Sequence, residues 1–237
     1  MGVAELGPSV FVAPVPYNWL VAIAVPPAHR PLTEEDLARL PDDGLRYELI
    51  DGELLVSPSP AGLHQRVSMN LSLILAAAVP AGHEVLAAPF DWRVNRFNVF
   101  VPDVLVVPHL GSGAKRLERP PLLAVEILSP SSRQRDLALK KRAYEAAGLG
   151  WYWVVDPDAP SLTVFRLDDG RFSDVSVVAE DEPYRATDPF PVEVVPSALV
   201  RPAAPRSGSP HLPHYGIVAG EAIVGRDEEF LEGFGEL

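Results

Sequence analysis

Two aliphatic runs, each carrying a single carboxylate, constrain this chain more than any other feature. Val99-Phe100-Val101-Pro102-Asp103-Val104-Leu105-Val106-Val107 and Leu122-Leu123-Ala124-Val125-Glu126-Ile127-Leu128 are rich in branched residues and closed by proline-containing turns, the pattern of buried strands. An ionised carboxylate in such a strand must be paired, protonated or bound to a cation, because isolating it in an apolar setting is costly. Strand alternation offers the plainer alternative that each acid points to the solvent face of a half-covered sheet. Buried together on neighbouring strands, the two acids would form a hard-cation site.

The segment after Glu126 adds to the case. Ser131 and Gln134 have the form of a capping box for a helix running to about Ala147, and Asp136, Lys140 and Tyr144 recur at intervals of four. That spacing puts them on one helical face and lets a lysine approach the strand acids, although Asp136 with Lys140 is also the pattern of an ordinary surface ion pair. Upstream, residues 45–56 read as two short strands around Asp51-Gly52, a favoured hairpin turn. Glu48 and Glu53 flank it, as site acids or as cross-strand surface charges. Residues 62–79 read as a helix whose Val67, Leu71, Ile74, Leu75 and Ala78 form a core-facing stripe. His64 in its first turn is a site neighbour or a solvated residue. Further strands are expected at 84–94 and 151–156, a hairpin over 161–178 around Asp168-Asp169-Gly170, and an edge element over 192–200. Trp151, Tyr152 and Trp153 have base-stacking faces, but a continuous apolar strand favours core packing.

Tyr47-Glu48-Leu49-Ile50-Asp51-Gly52-Glu53, Pro102-Asp103-Val104, Val125-Glu126-Ile127-Leu128-Ser129-Pro130-Ser131-Ser132, Asp136, Lys140, Tyr144 and Trp151-Tyr152-Trp153-Val154-Val155-Asp156-Pro157 occur in this order. Together they resemble the bacterial Uma family of restriction endonuclease-like proteins over roughly residues 31–200. The resemblance implies an α/β fold of the PD-(D/E)XK nuclease-like type, a mixed β-sheet flanked by helices. It implies Asp103 and Glu126 as acids that bind a divalent metal, Mg2+ or Mn2+, and a lysine that orients or polarises the attacking water. Leu128 stands where the general nuclease pattern has its lysine, so the resemblance implies a migrated lysine. Lys140 is the first choice and Lys141, about a hundred degrees round an ideal helix, the second. Glu48 is the third acidic candidate, since family acids from this region lie near the active site.

Phosphodiester hydrolysis needs charge stabilisation on the phosphate and an activated water, and a carboxylate-held divalent ion supplies both. Oxygen ligands favour magnesium or manganese over zinc. The absence of cysteine excludes thiolate metal chemistry and a disulfide scaffold, and fits a reducing, cytoplasmic setting. The 237 residues allow one nuclease-like domain over 31–200, an N-terminal extension over 1–30, and a C-terminal linker with an acidic tail over 201–237. The apolar stretch near the N-terminus is broken by prolines and too short to span a bilayer, so no membrane partner is expected.

Charge argues the other way. A net charge of −12 repels a polyanion at long range, whereas nucleic-acid binders commonly show a basic footprint. Residues 112–142 soften this, with eight Lys or Arg against three Asp or Glu. They read either as phosphate contacts or as solvated charges. Two functions follow: a metal-dependent DNA endonuclease, or a non-catalytic scaffold or partner-binding protein on the nuclease fold. Similar nucleases often pair to cut two strands, which makes a homodimer an option that no residue here fixes.

Overall fold

Proline placement decides where the apolar runs stop being single strands. In the computed structural model, which describes residues 11–12, 30–129 and 135–202, the run expected as one strand at 99–107 is two: β6 (Asn98–Phe100) and β7 (Val104–Pro108), in different sheets. Pro102 has no N–H to give to a ladder, and the chain changes sheet there while remaining buried. The strand expected at 84–94 divides in the same way at Pro89, into β4 (His83–Ala87) and β5 (Asp91–Asn95). Hydrophobicity continues through both crossings, so the apolar pattern alone does not reveal them.

In chain order the remaining elements are β1 (Phe11–Val12), α1 (Glu34–Leu37), β2 (Arg46–Ile50), β3 (Glu53–Ser57), α2 (Gly62–Ala78), β8 (Arg116–Leu117), β9 (Leu123–Ile127), α3 (Arg135–Ala146) and β10 (Trp151–Asp156), interleaved with those above. They are followed by β11 (Ser161–Asp168), β12 (Arg171–Ala179), β13 (Tyr184–Ala186), β14 (Val192–Val194) and α4 (Pro196–Val200). One six-stranded sheet has the order β1-β3-β2-β6-β5-β8 and the other β12-β11-β10-β9-β7-β4. Both mix parallel and antiparallel pairs. The segment expected as an edge at 192–200 is β14, paired with β13 in a separate ribbon, and then α4. Pro196, with its preset φ, begins that helix rather than continuing a strand.

The turn between β2 and β3 follows its sequence. Asp51 and Gly52 both take positive φ, 51° and 78°, as a two-residue hairpin requires. A side chain at Gly52 would also meet Pro31 Cβ at 2.5 Å, so the turn packs too tightly for any other residue. Thr33 precedes α1, and Asp36 reaches back to accept from the Thr33 N–H at 2.9 Å, which caps the helix start.

The second sheet is covered on both faces. Because β9 and β10 run parallel, the chain between them must cross over, and α3 lies in that connection. Alternate residues of β9 then serve two cores. Leu123, Val125 and Ile127 pack with Val67, Leu71 and Leu75 of α2, while Ala124 packs with Tyr144 of α3, Tyr152 and Trp92. Tyr152 and Trp153 are fully buried, as the core-packing expectation had it. No helix among the described residues is long and apolar enough to cross a membrane.

Candidate functional site

Strand register brings the two strand acids together. β7 and β9 pair antiparallel with Val104 opposite Val125 and Leu105 opposite Ala124. One more step of that register sets Asp103 against Glu126, although they are 23 positions apart in the chain. Both are buried, and so are Glu48 and Lys140. The reading of Glu48 as a surface charge is therefore overturned: it is 1 % exposed, on the face of β2 that alternation assigns to residues 46, 48 and 50. Glu53 is exposed and belongs to no such cluster.

Each carboxylate is committed to specific donors. Asp103 Oδ1 accepts from Arg46 Nη1 at 2.6 Å, and its Oδ2 lies 3.1 Å from His64 Nε2 and accepts from the Ile127 N–H at 2.8 Å. Lys140 Nζ donates to both oxygens of Glu126 at 3.0 Å and lies 2.9 Å from Glu48 Oε2. Tyr144, one turn further along α3, donates its hydroxyl to Glu126 Oε1 at 2.5 Å. Glu48 Oε1 accepts the Val101 N–H at 2.8 Å and so pins the backbone just before the chain changes sheet. Spacing of four on α3 thus delivers Lys140 and Tyr144 to one carboxylate. The Asp136 side chain and the Ser131–Gln134 capping box lie outside the described residues.

Electrostatics follow from burial and charge count. Burial works against ionisation of Asp103, but the His64 hydrogen bond and the Arg46 and Lys140 charges outweigh it and hold the carboxyl down at about 2. For Glu126 burial wins: reinforced by the Asp103 and Glu48 carboxylates and opposed by Lys140, it pushes the carboxyl up to about 7. Burial also pulls Lys140 toward neutrality, yet the surrounding carboxylates, Glu126 first, raise its pKa and keep it an ammonium. Three carboxylates thus face two permanent cations, Arg46 and Lys140, before His64 is counted. Crowding three carboxylates in a low-dielectric setting is what makes the last of them, Glu126, reluctant to ionise.

These groups line one pocket of about 320 Å3, together with Leu128, Leu137, Tyr152 and the 57–61 segment. His64 Nδ1 and the Tyr152 hydroxyl are buried without a hydrogen-bond partner among the described residues, and both residues line the pocket. Buried polar atoms of this kind call for a polar ligand or water. The carboxylate oxygens are donors of the kind a hard divalent cation takes. Among the described residues, however, no three His, Asp or Glu side chains converge into a ready-made coordination cage. Asp103 and Glu126 could hold an ion only with their present partners giving way.

Lys141 lies apart from the site, 3.6 Å from Asp174 and over the Phe165 ring. The basic stretch is also less available than its sequence implies. Arg116 pairs with Glu118 and Glu34, and Lys140 is buried in the cluster. The side chains of Arg133 and Arg135 lie outside the described residues. Arg46 is a pocket residue that the motifs alone do not single out. The signal was present, since alternation puts it two positions from Glu48 on the same face of β2.

Comparison with known proteins agrees with this architecture. No curated protein matches the chain. A solved structure titled as a putative nuclease belonging to DUF820 from Anabaena variabilis ATCC 29413 superposes with a TM-score of 0.57 at 21 % identity, over 72 % of this chain and 98 % of that one. The shared fold is the mixed α/β nuclease-like fold. Residues 34–200 match the family model described as "Uma2: Putative restriction endonuclease". With that match spanning most of its length and the nuclease-like fold beneath it, the chain belongs to the Uma2 family.

Proposed function

We propose that the protein is a divalent-metal-dependent DNA endonuclease whose chemistry takes place in the pocket of Asp103, Glu126 and Lys140. The observation that carries this reading is the burial of three carboxylates, Glu48, Asp103 and Glu126, and a lysine around one pocket. The fold alone has no need of such a buried cluster, since apolar residues of similar volume would serve it as well or better. Asp103 and Glu126 would hold Mg2+ or Mn2+, which when bound supplies a Lewis acid and a more acidic water.

The chain's own groups divide the remaining work. Glu126 and Glu48 hold Lys140 as an ammonium, so it enters as a hydrogen-bond donor. Its role is to stabilise negative charge on the phosphoryl oxygens or the leaving oxygen. Glu48 positions Lys140 and the Val101 backbone, and Tyr144 orients Glu126. Leu128, on the pocket wall at the usual lysine position, contributes exclusion of water rather than charge. In the reaction, water oxygen bonds to phosphorus, the bond from phosphorus to the leaving oxygen breaks with its electron pair, and the proton lost by water is balanced by one gained at that oxygen. The family description supports DNA as the substrate class, and the cysteine-free sequence fits activity in a reducing compartment such as the cytoplasm.

The closed network of ion pairs favours one second reading, a non-catalytic nuclease-fold scaffold. A cleavage assay on mixed single- and double-stranded DNA separates the two. Cutting that needs Mg2+ or Mn2+ and is abolished in folded Asp103→Asn and Glu126→Gln supports the endonuclease. No cutting by folded wild type under any of these conditions supports the scaffold.

A further inference from the structure

Asp103 can accept a cation only by giving up a present partner, and the three partners are not equally fixed. The Ile127 N–H on Oδ2 belongs to the backbone of β9 and is held by strand register. His64 shares that same oxygen. Oδ1 is held by Arg46 Nη1 alone among the described residues; against His64 at 13 % exposure, Arg46 is the more open side-chain partner, although Nη1 also reaches the Val101 carbonyl at 3.5 Å. Its side chain is 19 % exposed against 3 % for Asp103. It also stands on the rim between the carboxylate pocket and a neighbouring recess of about 770 Å3, lining both together with Pro58, Ser59 and Pro60. Beyond Nη1, its guanidinium donors have no partner among the described residues, so three N–H groups on Nε and Nη2 remain for another acceptor.

We propose that Arg46 is an exchanging counter-ion: it occupies Asp103 Oδ1 when the site holds no divalent cation, and swings to the rim to take a phosphate oxygen of the substrate when a cation displaces it. The proposal rests on the metal-dependent nuclease reading and adds a residue and an order of events to it. A planar fork suits both acceptors, since guanidinium matches carboxylate and phosphate alike, and an ammonium would not replace it. The exchange also eases the charge problem of an acidic chain acting on a polyanion. One positive group is released toward the backbone of the nucleic acid only in the metal-loaded state.

Calorimetric titration of Mn2+ into wild type, Arg46→Gln and Asp103→Asn tests this. A state that competes with the cation lowers apparent affinity by the fraction it occupies, so removing the competitor should tighten Mn2+ binding by about tenfold or more in Arg46→Gln. Binding of a phosphodiester oligonucleotide in Mn2+ should weaken in the same variant. Unchanged or weaker Mn2+ binding in Arg46→Gln, with wild-type binding present and lost in Asp103→Asn, overturns the exchange and leaves the nuclease reading standing. No Mn2+ binding by wild type overturns both. If Arg46→Gln does not fold, an arginine-selective dicarbonyl reagent applied to wild type gives the answer by peptide mass spectrometry: Mn2+ should speed modification of Arg46 several-fold. An unchanged or slower rate would overturn the exchange.

Discussion

The same kind of ion pair occurs at two places on the second sheet, with opposite meaning. On the β11–β12 hairpin, Arg166 and Asp168 meet at 2.7 Å with both side chains about half exposed. At β7 and β9, Arg46 meets Asp103 at 2.6 Å and Lys140 meets Glu126 at 3.0 Å, with exposures from 3 % to 19 %. Geometry is alike, but solvent is not. Water screens the hairpin pair and makes it nearly dispensable. The buried pairs lose that screening, so each partner becomes indispensable to the other without adding net stability over an apolar alternative. Buried pairs kept at such a cost, around a pocket, are the ground on which the proposed chemistry rests.

The comparison is tested most severely by Lys140→Ala. Removing the ammonium strands Glu48 and Glu126 in the interior, and a loss of roughly 3–5 kcal/mol in denaturant unfolding is expected. A loss as small as that of an exposed pair would collapse the distinction. Next comes pH. Glu126 sits at about 7 in the folded protein against 4.5 as its ordinary value. A carboxyl raised in this way supports folding at low pH, and its contribution is lost as pH rises through the folded value. The metal-free protein should therefore lose stability between about pH 4.5 and pH 7 to 8, and Glu126→Gln should flatten that limb of the thermal unfolding curve. A smaller effect belongs to Tyr144→Phe, which removes one hydrogen bond to a charged group and should cost roughly 1.5–3 kcal/mol. The hairpin supplies the smallest: Arg166→Ala should leave the unfolding midpoint where it was.

The two regions also differed in how far their residues announced themselves. The hairpin was plain, because Asp168-Asp169-Gly170 marks its turn and Asp169 and Gly170 do take positive φ. In the site region the acids were legible, since a lone carboxylate in an aliphatic run is physically anomalous wherever it occurs. Lys140 was legible from spacing of four combined with family resemblance. What stayed hidden were relations between segments. The apolar runs at 84–94 and 99–107 carry no mark of a change of sheet beyond Pro89 and Pro102, and a proline inside a hydrophobic run also fits an edge strand. Glu48 was ambiguous because β2 is half buried at its start and fully buried at its end, a difference imposed by packing against other elements. Arg46 is hidden for the same reason, as an arginine at a strand start ordinarily faces water.

A manganese-soaked crystal measured at the manganese absorption edge tests the central claim most directly. The account predicts an anomalous peak in the pocket between the Asp103 and Glu126 carboxylates, with the Arg46 guanidinium moved off Asp103. A fully occupied anomalous site elsewhere, or none, with Arg46 still on Asp103 and Lys140 still between Glu48 and Glu126, would contradict it and leave a nuclease fold whose buried charges serve another purpose.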